Sequence, residues 1–311
     1  MSFEPSTTRV ATRRLAAVTP RHHDHHDGLG TPSGTHLVAL DIDGTIVHHD
    51  GSMSRTVRDG VRRVAAAGHD VVIATGRSWL SARSVIAELG VRRGFAVCSN
   101  GAVIVALDPA LPGGACILAR HTFDPASALT ALRAAWPEAH VAVEEVGVGY
   151  RVHTPFPPGE LEGEIRVVDW DQLIDGPATR VIFRSPNGTA QDFLDLVARI
   201  GLHGVNYSVG FTAWLDIAPD GVSKASGLEK VRGFLRIDPA RTLAVGDQRN
   251  DVEMLQWAAC GVAMGNAPHE VCAVADWVTG HVDDDGLVDV LRRLPDAGPS
   301  CAPFVSQGQV A

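Results

Sequence analysis

Two carboxylates two residues apart, directly after an apolar run, open the body of this chain in Asp41-Ile42-Asp43-Gly44-Thr45. Uncompensated charge at the end of a buried strand is costly. The pattern makes sense if a cation sits between the acids, and hard oxygen donors of this kind suit magnesium. Gly44 permits a tight turn and a close backbone approach to a ligand. A second stretch, Thr75-Gly76-Arg77, also follows an apolar run. Its hydroxyl and backbone N–H groups suit phosphoryl oxygens, although a helix N-cap explains Thr75 equally well and Arg77 reads equally as a surface residue. The third stretch, Gly246-Asp247-Gln248-Arg249-Asn250-Asp251, sets two acids and an amide close together. Metal ligation and a helix-capping Asx turn both account for it, and the first stretch favours the metal.

These residues need elements to carry them. Leu37-Val38-Ala39-Leu40, Val71-Val72-Ile73-Ala74 and Phe95-Ala96-Val97-Cys98 are short apolar runs of the kind that become buried parallel strands. Between them, Ser54 can cap a helix whose stripe is Val57, Val61 and Val64 and which ends at Gly68. A second helix carries Leu80, Ile86 and Leu89 and stops at Gly90. The βαβαβ rhythm implies a parallel sheet, with the polar stretches and Ser99-Asn100-Gly101 at the carboxyl ends of its strands, where ligands bind in open α/β sheets. From Val103 the rhythm changes to strand-like pieces near 116–119, 141–145, 150–153 and 179–184, with helices over 125–136 and 190–200. The parallel pattern returns with a helix over 223–235, strands at 242–245 and 261–264, and a helix over 251–259. The chain therefore divides into a tail at 1–34, an α/β core at 35–102 and 209–294, an inserted α+β unit at 103–208, and a second tail at 295–311.

The 311 residues suit roughly two domains of about 150 residues. A formal net charge of -9 disfavours nucleic acid as a partner. No apolar stretch approaches the ~18 residues that would span a membrane, and the arginine-bearing start lacks a signal-like apolar segment. The five cysteines form no C-x-x-C pair, as expected of idle thiols in a reducing cytoplasm. His22, His23, His25 and His26 lie in the polar first tail, which reads as solvated, with metal binding as the alternative.

Taken in order, DIDGT at 41–45, ATGR at 74–77 and GDQRND at 246–251 resemble the first, second and fourth motifs of the haloacid dehalogenase superfamily. Lys224, in Gly221-Val222-Ser223-Lys224, sits where that family has its third-motif lysine. SNGA at 99–102, Ala275-Asp276-Trp277-Val278-Thr279, Asp285-Gly286-Leu287 and an insertion between the second and third motifs are similar to the Cof-type sugar-phosphatase branch. The resemblance implies a Rossmann-like parallel-sheet core with an inserted cap, and a Mg²⁺-dependent phosphatase of a small phosphorylated metabolite. It implies Asp41 as nucleophile and Asp43 as acid and base. Asp41, Asp43 (through its carbonyl) and Asp247 would hold the metal, supported by Asn250 and Asp251. Thr75, Gly76, Asn100 and Lys224 would bind the phosphoryl group. The alternatives are a phosphomutase of the same superfamily and a non-catalytic phosphometabolite-binding module. Cap candidates for substrate contact are Glu144, Glu145, Tyr150, Arg151 and Arg184.

Overall fold

The computed structural model describes residues 34–185, 188–200, 205–209 and 214–295. The histidine cluster at 22–26 and the expected tails, apart from Gly34 and Pro295, lie outside the described residues. The chain starts with β1 (Leu37–Leu40), α1 (Arg55–Ala66), β2 (Asp70–Ala74), α2 (Trp79–Leu89), β3 (Gly94–Cys98), β4 (Val103–Leu107) and β5 (Ala115–Arg120). A second group comprises α3 (Ala126–Ala135), β6 (His140–Glu145), β7 (Gly149–Val152), β8 (Glu164–Val167), α4 (Trp170–Ile174), β9 (Val181–Arg184), α5 (Ala190–Ile200), β10 (Val205–Val209) and β11 (Trp214–Pro219). The last group is α6 (Lys224–Leu235), β12 (Thr242–Gly246), α7 (Val252–Trp257), β13 (Cys260–Ala263), α8 (His269–Cys272), β14 (Trp277–Val278) and α9 (Gly286–Leu291).

Eight strands form one sheet in the order β14-β13-β12-β1-β2-β3-β4-β5. β1 pairs in parallel with β2 on one side and with β12 on the other. The strand order therefore runs outward in opposite directions from the β1–β12 seam, and the carboxyl ends of those two strands flank a topological switch point. Such a point opens a crevice, because the connections leave to opposite faces. Strands that are apolar on both faces fit this sheet because helices cover both sides. Val57, Val61 and Val64 of α1 pack on one face with Leu287 and Leu291 of α9, and Leu228 and Val231 of α6 pack on the other with Met254 and Leu255 of α7. Local capping follows the sequence. The Ser54 side chain accepts from Val57 N–H at the start of α1, and Gly90 ends α2 in the left-handed region.

A second, six-stranded sheet has the order β10-β11-β9-β6-β7-β8. Leu129 and Leu132 of α3 and Phe193, Leu196 and Val197 of α5 cover one of its faces, packing on Val141, Val143, Val181, Phe183, Leu215 and Ile217. The opposite face carries Ala142, Tyr150, Val152 and Ile182. The expected boundaries of the insertion shift at both ends. β4 and β5 are not cap strands. They extend the core sheet from β3 in antiparallel fashion, so the cap layer starts after Arg120. At the other end β10 and β11 pair with each other and β11 with β9, which carries the cap sheet through Pro219 rather than stopping at 208. Among the described residues, no helix is long and apolar enough to cross a membrane.

Candidate active site

The turn after β1 is set by backbone bonds. Ile42 O accepts from the N–H groups of Thr45, Ile46 and Val47, and Asp41 N–H donates to Val245 O on β12. Gly44 has φ +77°, and a Cβ there would stand 2.2 Å from Asp247 Oδ2, so glycine is required for both the turn and the approach. Asn266 Nδ2 donates to Gly44 O (2.9 Å) and Asp247 Oδ2 (3.0 Å), tying the first loop to the loop after β12. Within that second loop, Asp251 Oδ2 accepts from the N–H groups of Asp247 (3.0 Å) and Gln248 (2.9 Å).

Asp41, Asp247 and Asp251 come together as one buried cluster, with a carboxylate oxygen of each within 4.8 Å of the others. Lys224, in the first turn of α6, enters the same cluster. Its Nζ donates to Asp41 Oδ1 at 2.7 Å and to Asp251 Oδ1 at 2.6 Å, and its side chain is fully buried. Burial pushes the Asp41 carboxyl up to about 7, helped by Asp251 and opposed by Lys224. Burial likewise pushes Asp247 up to about 8, with Asp41 and Asp251 adding to it. Burial works against the Lys224 ammonium, but Asp251 and Asp41 together raise it above the usual lysine range. Three carboxylates facing one ammonium leave negative charge uncompensated. A hard divalent cation fits this donor set on charge and on ligand type. Asn250 Oδ1, buried nearby with no hydrogen-bond partner, is a further acceptor for such an ion or its water.

The remaining expected residues surround the cluster, with one rearrangement. Asp43's carboxylate is not in the cluster. Arg77 holds it, Nε donating to Oδ2 at 2.9 Å and Nη2 to Oδ1 at 2.5 Å. Only the main-chain carbonyl of Asp43 is left for the metal role expected of it. Asp251, expected as support, stands inside the cluster itself. Thr75 is buried, and its Oγ1 accepts from Arg77 N–H. Ser99 N–H donates to Arg77 O and Asn100 N–H to Thr75 O, which joins the ends of β2 and β3. Asn100 sits in the left-handed region at φ 52°, and its Oδ1 accepts from Asn250 Nδ2 at 2.9 Å. Gly76 faces both amides: a Cβ on it would lie 3.1 Å from Asn100 Oδ1 and 3.4 Å from Asn250 Nδ2.

Arg77 is the residue whose role the sequence left open, and its place at the same strand-end edge as Asp43 was the available signal. Among the cap candidates, Glu144 is buried and reaches the core: Ser99 Oγ donates to its Oε2 at 2.7 Å. Tyr150 is hydrogen-bonded to Ser78, the N-cap of α2. Glu145, Arg151 and Arg184 instead form ion pairs within the cap, Arg151 with Glu145 and Arg184 with Glu160.

A family profile described as haloacid dehalogenase-like hydrolase matches residues 38–134 and 164–291. A phosphoglycolate phosphatase from Natronomonas pharaonis is 30% identical over 260 residues, covering 83% of this chain and 97% of its own. The 5-amino-6-(5-phospho-D-ribitylamino)uracil phosphatase YitU of Bacillus subtilis is 25% identical over 267 residues, covering 83% of this chain and 97% of its own. A solved phosphatase of the same superfamily from Bacteroides thetaiotaomicron superposes with a TM-score of 0.67 at 26% identity, covering 90% of this chain and 98% of its own. With two buried motif loops meeting at a switch point beneath a cap, the chain belongs to the haloacid dehalogenase-like hydrolases, in their Cof-type branch. Within that family it is a phosphatase.

Proposed function

We propose that the protein is a Mg²⁺-dependent phosphatase that hydrolyses a small phosphorylated metabolite through a phosphorylated Asp41. The observation that carries this reading is the buried cluster of Asp41, Asp247 and Asp251 around Lys224. Asp41 directly follows β1 with its backbone N–H pinned to Val245 on β12, and Lys224 holds its Oδ1. Asp41, Asp247 and the Asp43 carbonyl would hold the ion, with Asp251 and Asn250 supporting them. When bound, Mg²⁺ supplies the positive charge that lets a carboxylate approach a phosphate dianion.

In the first step an Asp41 oxygen bonds to phosphorus as the bond to the leaving oxygen breaks. Lys224 stabilises charge on the phosphoryl oxygens, and Thr75 and Asn100 orient them. As one of its two bonds to Arg77 opens, Asp43 takes up a proton from solvent and passes it to the leaving oxygen. In the second step Asp43 takes a proton from water, whose oxygen attacks phosphorus and releases Asp41. The cap excludes bulk water and selects the leaving group. Two relatives named for phosphate monoesters of small metabolites support that substrate class, as does a net charge unsuited to nucleic acid.

Phosphate release from a panel of sugar, cofactor and carboxylate monophosphates tests the reading. Turnover should require Mg²⁺, stop with chelator and be abolished in Asp41→Asn. Full turnover by that variant would defeat the covalent mechanism.

A further inference from the structure

The face of the cap sheet turned away from its helices carries a polar row. Leu215 and Ile217 point to the helices, so Asp216 between them points the other way, beside Ile182 on the neighbouring strand. Arg180, just before β9, is buried beneath this face. Its Nε donates to Asp216 Oδ1 at 2.7 Å, and its Nη1 reaches the Tyr150 hydroxyl at 3.5 Å. Asp216, Tyr150 and the nearby Glu144 raise the Arg180 guanidinium despite its burial. The pair is thus a fixed one, with both side chains largely out of water, at 9% and 15% exposure.

Asp216 is not a purely internal partner of Arg180. It lines a cleft of about 220 Å³ whose lining also includes Asn100, Lys224 and Asn250. Asp216 Oδ1 is taken by Arg180, and no donor among the described residues occupies Oδ2. The cations lining this cleft are already paired. Lys224 is bound to Asp41 and Asp251, and Arg249 to Glu270 at 2.6 Å. Glu253 adds a second carboxylate to the wall.

Resting on the phosphatase reading above, we propose that Asp216, held in place by Arg180, selects the leaving group: it accepts a hydrogen bond from a hydroxyl close to the phosphoryl group and turns away leaving groups that carry a carboxylate. A fixed acceptor rewards a matching donor, and a like charge at the same position is repelled, so one side chain supplies both halves of the discrimination. In this respect the chain differs from what the name of its phosphoglycolate-cleaving relative would suggest.

The test compares glycerol phosphate with phosphoglycerate, which place a hydroxymethyl and a carboxylate at the same position. Each kcat/KM is divided by that for para-nitrophenyl phosphate, whose leaving group has no donor. The wild type should prefer glycerol phosphate, and Asp216→Asn should reduce that preference about 10- to 100-fold, the scale of one hydrogen bond to a charged group. Asp216→Glu keeps the charge and a partner for Arg180, and decides the matter if the asparagine variant does not fold. It should still discriminate against phosphoglycerate while losing kcat/KM for glycerol phosphate. A preference unmoved in the asparagine variant, or glutamate kinetics equal to wild type, would overturn the proposal, as would a preference that follows Arg249→Gln instead. If the wild type with Mg²⁺ releases phosphate from no ester of the panel above, the Asp41 reading fails; if it is active on that panel but does not prefer glycerol phosphate to phosphoglycerate, the Asp216 proposal fails.

Discussion

Single side chains in this site are held by partners far away in sequence, and that governs what each can do. Asp43 is the clearest case: both of its carboxylate oxygens accept from Arg77, which leaves the strand end next to its own. A proton-transferring group must be in place before the reaction, so the pair acts through position. Arg77→Gln should lower kcat about 10-fold or more with little change in KM, since it removes orientation of the acid and leaves Lys224 and Thr75 to bind the phosphoryl group. Steady-state kinetics on the best substrate of the panel would check this, and an unchanged kcat would leave Arg77 no part in positioning Asp43. The carboxylates themselves were legible in the sequence, because two acids after an apolar strand demand compensation. Arg77, Arg180 and Asp216 were not, because their meaning lies in partners that only the fold brings near.

The elements converge through turns rather than through the strands alone. The Ser99-Asn100-Gly101 turn after β3 comes so near the start of α6 that a Cβ on Gly101, at φ +100°, would stand 2.0 Å from the Ser223 carbonyl oxygen. Both the backbone angle and the approach exclude a side chain. Gly101→Ala should destabilise the protein by about 2 kcal/mol or more and displace Lys224 from Asp41, to be read as a lower urea midpoint together with reduced turnover. A midpoint equal to wild type would mean that the turn yields without cost. Element type was readable along most of the chain: the apolar runs became β1, β2, β3, β12 and β13, and the caps at Ser54 and Gly90 formed as their chemistry required. Element membership was not. Val103–Leu107 is buried throughout like the parallel strands of the same sheet, but it runs antiparallel beside β3, and no local pattern says which sheet such a strand will join. β8 alternates polar and apolar residues in Glu164-Ile165-Arg166-Val167, but four residues exposed throughout are too short a run for that pattern to mark a strand.

At the scale of the whole molecule, the buried acid cluster couples stability to pH and to metal. Asp41 and Asp247 are raised from an ordinary value of 3.8 to about 7 and about 8 in the folded, metal-free chain. A carboxyl raised by folding contributes stability that is complete below its unfolded value and is lost as pH climbs through the folded one. The metal-free protein should therefore lose stability steadily from about pH 4 toward about pH 8, the span between the unfolded and folded values. Saturating Mg²⁺ should raise Tm most at the upper end of that range, because it compensates the ionised forms and binds the folded state alone. Thermal scans with chelator and with Mg²⁺ across the range would show the two curves diverging upward in pH, and parallel curves would refute the coupling. The seam of the sheet has a different kind of consequence. β1 leaves the ribosome long before β12, the strand that one of its edges waits for, with Leu37 matched to Thr242 across the whole cap. Until then the nascent chain presents an open, apolar strand edge, a template for pairing with other chains. A stalled or truncated product ending before Thr242 would retain that edge, which makes premature termination an aggregation hazard and chaperone capture of the half-made core a natural safeguard.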